Sequence, residues 1–545
     1  MLEKKPNILF IMADQMKSSI LKMYSEIGIE CPQLEKLARE GVLYQNAFTP
    51  HPLCVPARTS MMTGKYPHKT GCRRNETLMP ENELHAFKIW KKLNYVTGLI
   101  GKNHCFDKQS DLDLFDVRLE ISHRGLPRSG YKGENIGNKG MEWIVDEKLI
   151  NEANNNRLEM GIWDKTHFSS DTPEELFPTS LITKQTEKFL EEYSAGEFGK
   201  TDNPFSLWVS FPDPHEPYIA PSRYVNMFPS EKVVLPNNRE DEFTDGTAPE
   251  RNRLLYKILK HNTNSEEEIR SQISVYQAMT KFIDDGIKKI IEKLDTLGLK
   301  ENTIIVFTSD HGDFMGEHGM TVKGGVFYDC LVKVPLIISW PNGKFDTGVI
   351  DESMVNTIDI LPTLLFLQGL GDFKNLGKGW TNNNQKKDKF LNEYEMRSFD
   401  GKLLPSITNS KPSEVAFSEY GAGGPQYKLE DLNKINKPYG HKTLLETLWA
   451  RESEGKRRMV RTKDWKYITD INAKGHTISS AIDGGPGDID ELYDLKNDPW
   501  ELYNIAQNPK YKEVIVQMKE HLLEWMIDTE DYKPVEIPNK IGINF

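Results

Sequence analysis

The chain has 545 residues, of which 38% are apolar and 10% aromatic, a composition typical of globular proteins. This length predicts about two to four domains, or one large α/β domain with a smaller appendage. The net charge of −12 argues against nucleic acid as a partner, because contacts with phosphates require a basic surface. An anionic ligand would therefore need a local basic pocket.

The cysteines and the N-terminus indicate a cellular compartment. Five cysteines are scattered along the chain without a CxxC pair, which favours a reducing environment. The first apolar run lacks the length and the cleavage site of a signal peptide, and no segment is long enough to span a membrane. We expect a soluble cytoplasmic protein without a membrane partner, or a periplasmic or secreted one if a signal peptide was removed.

Short apolar runs alternate with helical patterns along the first part of the chain. Residues 6–13 form a continuous apolar run, typical of a strand that is covered on both faces of a parallel sheet. Residues 33–40 have helical spacing and end at Gly41, and a long helix begins at the capping box of Ser265 and Glu268. Further strands are predicted at residues 95–100, 205–211, 303–308 and 335–340. The pattern predicts an α/β fold with a large, doubly wound, mostly parallel or mixed sheet and helices on both faces.

The C-terminal part has a different character. Residues 370–445 are rich in Gly, Asn, Lys and Pro and lack periodicity, which favours loops. A hairpin at 459–468, a strand at 491–495 and a helix at 511–527 predict a smaller antiparallel sheet with a packed helix. We therefore divide the chain into an α/β domain (1–380), a loop-rich insertion or boundary (381–450) and a C-terminal α+β subdomain (451–545).

A cysteine stands at the predicted start of a helix. Residues 51–60 place Pro56 in the first turn, where the free N–H groups and the helix dipole suit an anion. Arg58 lies one turn after Cys54 and could hold an oxyanion. The alternative is that Cys54 is a buried cysteine that packs as a small hydrophobe.

Polar residues follow several of the predicted strands. Asp14 and Gln15 follow the first strand, and Asp310 and His311 follow a later one. In open α/β sheets ligands bind beyond the carboxyl ends of the strands. Oxygen ligands with one imidazole favour Ca²⁺, Mg²⁺ or Mn²⁺ over a thiolate zinc site. The alternative is that these Asp residues only cap the following helices.

Basic residues and histidines provide further candidates. Lys102 and His104 follow the strand at 95–100, His215 lies in a Pro-bounded loop, and Lys323 precedes two glycines. Each of them could instead be a solvated lysine or a hydrogen-bonded structural histidine. For four other histidines the structural interpretation is preferred; they are His51, His68, His85 and His318.

With these residues, the chain resembles the sulfatase family of the alkaline-phosphatase-like superfamily. Residues 54–58 match the family pattern Cys-x-Pro-x-Arg, and similar segments follow in the family's order at 63–67, 99–104, 210–215, 308–312 and 491–499. The resemblance implies that Cys54 is oxidised to formylglycine by a formylglycine-generating or sulfatase-maturating enzyme. The hydrated aldehyde at a metal would then attack the sulfur of a sulfate ester.

The resemblance also implies a role for each candidate. The metal, Ca²⁺ with Mg²⁺ or Mn²⁺ as alternatives, would be held by Asp14, Gln15, Cys54, Asp310 and His311. Arg58 and Lys102 would hold the nucleophile, and His104 would deprotonate the second hydroxyl of the hydrate. His215 and Lys323 would hold the sulfate oxygens, one of them as general acid. The substrate would be a small or oligosaccharide sulfate ester, and oligomer formation is left open.

The chain departs from the commonest family pattern at two positions. Gln15 stands where many members have a second Asp, and Asp310 is followed by His311 instead of Asn. Phosphonate monoester and phosphodiester hydrolases share this arrangement, so such an activity is the main alternative, and an inactive sugar-binding relative is a minor one. Residues that could contact an acidic sugar, but that fit a solvated surface or the core better, are Arg73, Arg74, His123, Arg124, Trp143 and Trp163.

Overall fold

The computed structural model describes residues 5–75, 79–121, 167–199, 203–259, 265–369, 399–421, 456–470 and 489–529. Their strands are β1 (Asn7–Ala13), β2 (Gly41–Phe48), β3 (Val96–Gly101), β4 (Val117–Glu120), β5 (His167–Ser170), β6 (Phe205–Phe211), β7 (Tyr218–Pro221), β8 (Thr303–Ser309), β9 (Phe314–Met315), β10 (Thr321–Val322), β11 (Lys333–Val334), β12 (Leu336–Ser339), β13 (Val349–Asn356), β14 (Ala416–Tyr420), β15 (Arg457–Arg461), β16 (Trp465–Asp470) and β17 (Glu491–Asp494).

The α-helices of the same residues are α1 (Pro32–Arg39), α2 (Cys54–Thr63), α3 (Pro67–Thr70), α4 (Ala86–Lys92), α5 (Gln109–Leu112), α6 (Pro178–Ser194), α7 (Ser222–Val225), α8 (Glu250–Leu259), α9 (Glu266–Thr296), α10 (Asp329–Val332), α11 (Ile360–Leu367), α12 (Pro405–Thr408) and α13 (Lys512–Thr529). None of these helices combines the length and the apolar character that crossing a membrane requires.

The large sheet brings several strand ends to one edge. Among the described residues it has nine strands in the order β11-β2-β12-β8-β1-β6-β3-β4, and β13 also pairs with β2. Strand β1 lies parallel to β6 and β8, and β3 lies parallel to β6. Because β12 is antiparallel to both β8 and β2, strand β2 points the same way as β8. The carboxyl ends of β1, β2, β3, β6 and β8 therefore share one edge, which we call the carboxyl edge.

The sheet is covered on both faces, as predicted. Along β1, Leu9 and Ile11 belong to one apolar core with α6 and α9, while Ile8 and Phe10 belong to the other with α4 and α11. Successive strand residues point to opposite faces, so an uninterrupted apolar run is what two covered faces require. The Ser265 side chain accepts a hydrogen bond from the Glu268 backbone N–H at the start of α9, which confirms the predicted helix start.

Strands β2 and β13 go beyond the predicted elements. Strand β2 begins at Gly41, which the pattern predicts only as the stop of α1, and it carries Gln45 and Asn46 instead of a continuous apolar run. Glycine is required at position 41 because a Cβ atom there would lie 2.2 Å from the Ile338 carbonyl oxygen. Strand β13 is irregular near Asp351, where its register with β2 shifts. Both strands are set by tertiary pairing, which periodicity does not reveal.

A separate antiparallel sheet in the order β14-β15-β16-β17 packs against α13. Met518, Leu522 and Trp525 of this helix are buried against Tyr467 and Leu492 of the sheet. The predicted hairpin and terminal helix are therefore present. The first strand, β14, lies within the segment 381–450 that was expected to be loop-rich.

Candidate active site

The predicted site residues surround the carboxyl edge. Two of them have a positive φ angle, 62° at Gln15 and 48° at His104, which is uncommon outside glycine and costs about 1 kcal/mol or more. Such strain persists only where the surrounding structure holds the residue in place. The predicted residues at this edge are Asp14 and Gln15 after β1, Lys102 and His104 after β3, His215 after β6, Asp310 and His311 after β8, and Lys323 after β10.

Cys54 is the first residue of α2, and its thiol is buried among polar groups. The Val55 backbone N–H has no partner within the helix and donates to Asn75 Oδ1 over 3.1 Å. Cys54 Sγ lies 3.1 Å from His311 Nε2 and 3.8 Å from Asp14 Oδ1. The residue is 1% exposed. These contacts contradict the alternative of a cysteine that only packs as a small hydrophobe.

The electrostatic surroundings stabilise a negative charge at position 54. Burial raises the pKa of the Cys54 thiol, but Lys323, Lys102 and His311 outweigh this effect and hold the pKa well below its ordinary value. His104 also hydrogen-bonds with the thiol. Burial and the nearby Lys102 lower the pKa of His104 to about 4. His104 is therefore neutral near pH 7 and available to accept a proton.

Arg58 holds the carboxylates of Asp14 and Asp310 in place. Its Nε donates to Asp310 Oδ2 over 2.8 Å, one Nη lies 3.2 Å from Asp14 Oδ2, and the other donates to Ser210 Oγ and to two main-chain carbonyls. The guanidinium also lies over the ring of Trp208. Arg58 is 0% exposed, so these ion pairs are made away from bulk water.

Four side chains form a group with the geometry of a metal site. The ligand atoms of Asp14, Cys54, Asp310 and His311 all lie within 4.8 Å of one another, and all four residues are buried. Burial raises the pKa of Asp310, but His311 and Arg58 hold it well below its ordinary value, so the carboxylate is ionised as a metal ligand must be. Two carboxylates, one imidazole and the atom at position 54 fit a divalent cation.

Gln15 lies beside this group. Its backbone N–H donates to Asp310 Oδ1 over 3.0 Å. The side-chain oxygen accepts from Lys323 Nζ, and the side-chain nitrogen donates to Glu216 Oε2 over 3.0 Å. The amide oxygen thus faces a donor and the amide nitrogen faces an acceptor, which fixes the direction in which the carbonyl oxygen points.

The two lysines and His215 complete the polar site. Lys102 Nζ pairs with Asp14 Oδ2, and Lys323 Nζ contacts His215 Nε2. On its other side, His215 Nδ1 lies 2.6 Å from the main-chain oxygen of Glu216. Each lysine is 5% exposed, so neither is a solvated surface charge. The structure therefore brings all the predicted residues together.

Two buried carboxyl groups at the site were not singled out from the sequence. Glu216 contacts Gln15 and His215, and Asp313 accepts from the Tyr218 hydroxyl over 2.9 Å. Burial and the charge of Glu216 raise the pKa of Asp313 well above its ordinary value. Their only sequence signal is their position next to or near a predicted site residue, because neither directly follows a strand.

The remaining candidates fall into three groups. Arg73 and Arg74 are 4% and 6% exposed, which contradicts the solvated-surface interpretation. The reason is that their loop folds back on the site, where the Arg73 backbone hydrogen-bonds with His51. Four candidates lie outside the described residues: His123, Arg124, Trp143 and Trp163. The other histidines have structural partners, namely the Leu53 N–H for His51, Glu419 for His68, Asp111 for His85 and Glu242 for His318.

Comparison with known proteins gives consistent matches. The chain matches the Sulfatase family over residues 6–370. An ulvan-active sulfatase of Formosa agariphila is 30% identical over 368 residues, which make up 67% of this chain and 62% of that protein. The uncharacterized sulfatase YidJ of Escherichia coli is 24% identical over 537 residues, or 97% of this chain and 88% of the relative. An arylsulfatase of Clostridium perfringens is 28% identical over 376 residues, 66% of this chain and 74% of that one.

Solved structures share the fold. The phosphonate monoester hydrolase of Silicibacter pomeroyi superposes with a TM-score of 0.67 at 20% identity, covering 97% of this chain and 96% of the other. A protein solved with its substrate D-glucosamine-2-N,6-O-disulfate gives a TM-score of 0.62 at 20% identity and covers 98% of this chain and 100% of the other. The fold is alkaline-phosphatase-like, and the chain belongs to the sulfatase family of sulfuric ester hydrolases.

Proposed function

We propose that this protein hydrolyses the sulfate ester of a carbohydrate or another small alcohol, using a formylglycine that a separate maturating enzyme makes from Cys54. The observation that carries the proposal is the environment of the Cys54 thiol. It is buried, yet it faces carboxylates and histidines and lies in the field of two lysines. A purely structural buried cysteine packs against apolar groups.

A divalent cation fits the proposal. Asp14, Gln15, Asp310, His311 and the modified residue 54 would hold it. We propose Ca²⁺, with Mg²⁺ or Mn²⁺ as alternatives, because the set is dominated by oxygen ligands. When bound, the cation supplies positive charge that favours an ionised nucleophile and stabilises negative charge on the sulfate.

The first step transfers the sulfuryl group to residue 54. One hydroxyl of the hydrated aldehyde loses its proton to water, its oxygen attacks the sulfur, and the bond from sulfur to the alcohol oxygen breaks. The departing alcohol takes a proton from the pair of His215 and Lys323. Arg58 and Lys102 hold the attacking oxygen of residue 54, and His215 and Lys323 also hold the sulfate oxygens.

The second step releases sulfate. Neutral His104, which hydrogen-bonds with the atom at position 54, takes the proton of the second hydroxyl. The aldehyde C=O bond re-forms, and the bond from carbon to the sulfate oxygen breaks. Water then hydrates the aldehyde again, so each turnover consumes one water molecule. An unmodified thiol has no second hydroxyl and could not complete this cycle.

Hydrolysis of a phosphonate monoester or a phosphodiester with the same formylglycine is the second candidate. The amide of Gln15 favours it, because a ligand set with one carboxylate fewer tolerates a more negative substrate. We prefer the sulfate ester because Lys102 and His104 both flank residue 54, as the sulfatase pattern requires. A carbohydrate substrate is supported by the ulvan-active relative.

The decisive experiment combines mass spectrometry with a substrate screen. Protein from a host with a sulfatase-maturating enzyme should carry an aldehyde at position 54. It should release sulfate from at least one member of a panel of sulfated mono- and oligosaccharides, choline sulfate and aryl sulfates, faster than it hydrolyses phenylphosphonate esters. A large preference for the phosphonate would favour the second candidate.

Two cysteine variants control this experiment. Cys54→Ala should release no sulfate, whereas Cys31→Ala should keep its activity, because Cys31 is equally buried but stands at the start of α1. An unmodified Cys54 in matured protein, with sugar binding but no turnover, would instead identify an inactive sugar-binding relative.

A further inference from the structure

Glu216 lies directly behind two groups of the proposed site. Its Oε2 atom is 3.0 Å from Gln15 Nε2 and also 3.0 Å from His215 Nδ1. The residue is 4% exposed, so both contacts are made away from bulk water. One carboxylate oxygen that lies within 3.0 Å of both nitrogens restricts the orientation of both side chains.

The contact between Glu216 and Gln15 explains why position 15 carries an amide instead of a second carboxylate. Asp313 also hydrogen-bonds with Gln15, so two buried carboxyl groups face this side chain. A carboxylate at position 15 would face the Glu216 carboxylate without a hydrogen between them, whereas an amide nitrogen donates to it. With its nitrogen held by Glu216, the amide must direct its oxygen the other way, where it meets Lys323.

The contact with His215 selects one form of the ring. Nδ1 faces two acceptors, the carboxylate and the main-chain oxygen of Glu216, so Nδ1 carries a hydrogen. Nε2 is thereby directed to Lys323. The pair that donates the proton to the alcohol is thus held from behind by the same carboxylate that holds the amide.

We propose that Glu216 is a positioning residue with two simultaneous effects. It orients the Gln15 carbonyl oxygen for the cation and the His215 ring for the leaving alcohol. The inference rests on the function proposed above, since the second effect requires that an alcohol leaves at His215. The first effect concerns cation binding and can be measured without turnover.

The test uses matured Glu216→Ala and two readouts. Calcium affinity, measured by titration calorimetry with Ca²⁺ alone, should fall by about 10–100-fold, as for other residues that support metal ligands. The kcat for a sugar sulfate should fall by a similar factor. The kcat for an aryl sulfate with an acidic phenol should fall much less, because such a leaving group needs little protonation. The dependence of kcat on the pKa of the leaving group should therefore become steeper.

Three further variants separate the two effects from a loss of stability. His215→Ala should steepen the leaving-group dependence and keep calcium affinity. Glu216→Gln keeps the shape and one acceptor oxygen, so it should show the same two changes at smaller size. Glu242→Ala is the matched control, because Glu242 is similarly buried and holds His318 Nδ1 at 2.7 Å. It should change neither readout.

The outcomes distinguish this inference from the proposed function. If wild type releases sulfate but Glu216→Ala changes only stability, or only one of the two readouts, the double role is wrong. If Glu216→Ala does not fold, the same two readouts on Glu216→Gln decide, and unchanged values overturn the inference. If wild type hydrolyses no sulfate ester, the proposed function fails, while the calcium arm still tests the contact with Gln15.

Discussion

Two buried clusters of charged residues differ in how their charges are matched. One, the hairpin cluster, joins the C-terminal sheet to the large domain through Asp329, Arg461, Lys466 and Glu501. Lys466 Nζ lies 2.6 Å from Asp329 Oδ1 and also contacts Glu501, and Arg461 lies 3.2 Å from the other oxygen of Asp329. Every carboxylate in this cluster has a cationic side chain of the same chain as its partner.

The second, the carboxyl-edge cluster, consists of Asp14, Cys54, Asp310 and His311. Its two carboxylates also pair with cations of the chain, Arg58 with both of them and Lys102 with Asp14, but in addition its four ligand atoms lie within 4.8 Å of one another. Burying like groups side by side is unfavourable unless a further positive charge stabilises them. The comparison teaches that ion pairs within the chain occur in both clusters, whereas converging ligand atoms occur at the proposed binding site.

The largest expected effect is on the carboxyl-edge cluster. Asp310→Asn removes a negative ligand and a partner of Arg58, and we expect kcat/KM for sulfate release to fall by at least about 10³-fold, since a catalytic cation contributes several kcal/mol. Steady-state kinetics measure this loss. Asp284→Asn is the control: this similarly buried carboxylate accepts from backbone N–H groups at the start of α1 and from Lys281, none of which belongs to the site, so activity per folded molecule should persist. Equal losses in both variants would contradict the distinction.

The residues of the carboxyl-edge cluster could be predicted because their signal is local in the sequence. Asp14 and Asp310 each stand directly after an apolar run, and parallel strands place such residues at one edge. The α/β class also follows from the alternation of strands and helices. By contrast, β2, which carries the chain to Cys54, has an irregular pattern and is held by pairing with β12, almost 300 residues later in the sequence.

Contacts between distant side chains could not be predicted. The sequence places Glu216 beside His215, but its bond with Gln15 joins residues separated by 201 positions. Helical spacing places Arg58 on the same face as Cys54, but its contacts with Asp14 and Asp310 depend on strand ends that lie far away in the sequence. The start of the C-terminal sheet was missed for the same reason, since β14 gains its register only from β15.

The second prediction concerns the hairpin cluster. Lys466 is 0% exposed, and Lys466→Met leaves Glu501 and Asp329 without their shared cation. We expect the free energy of unfolding to fall by about 3 kcal/mol, because breaking a buried ion pair leaves a buried charge without its partner. Calcium affinity should not change. Lys463→Met in the same hairpin breaks only an exposed pair with Glu352 and should change stability by less than about 1 kcal/mol in urea unfolding.

The third prediction uses the cation itself. If only the carboxyl-edge cluster needs an external charge, Ca²⁺ at about 100 times its Kd should raise the free energy of unfolding by about 2.7 kcal/mol. A chelator should reverse the gain. Lys466→Met should show the same increment as wild type, while Asp310→Asn should show little of it. Urea unfolding with and without Ca²⁺ gives these values, and an increment that Asp310→Asn leaves intact would place the cation elsewhere.

The smallest expected effect is a pH dependence of the free energy of unfolding, caused by the buried carboxylate of Glu419. Like the carboxylates of the hairpin cluster, it pairs with basic side chains of the same chain. Burial raises the pKa of Glu419, but His68 and Arg458 outweigh it and hold the pKa well below the ordinary value of 4.5. The unfolded chain therefore binds a proton below pH 4.5 that the folded chain does not, so the stabilisation is complete above pH 4.5 and is lost as the pH falls.

Glu419→Gln should remove this dependence. The difference in the free energy of unfolding between wild type and variant should stay constant above pH 4.5 and shrink by about 1 kcal/mol between pH 4.5 and 3.5, near the limit of 1.4 kcal/mol per unit for one proton. Urea unfolding across this range measures the difference. A constant difference down to pH 3.5 would mean that His68 and Arg458 do not hold the carboxylate ionised, and pairing within the chain would then not explain how a buried carboxylate outside the carboxyl edge is stabilised.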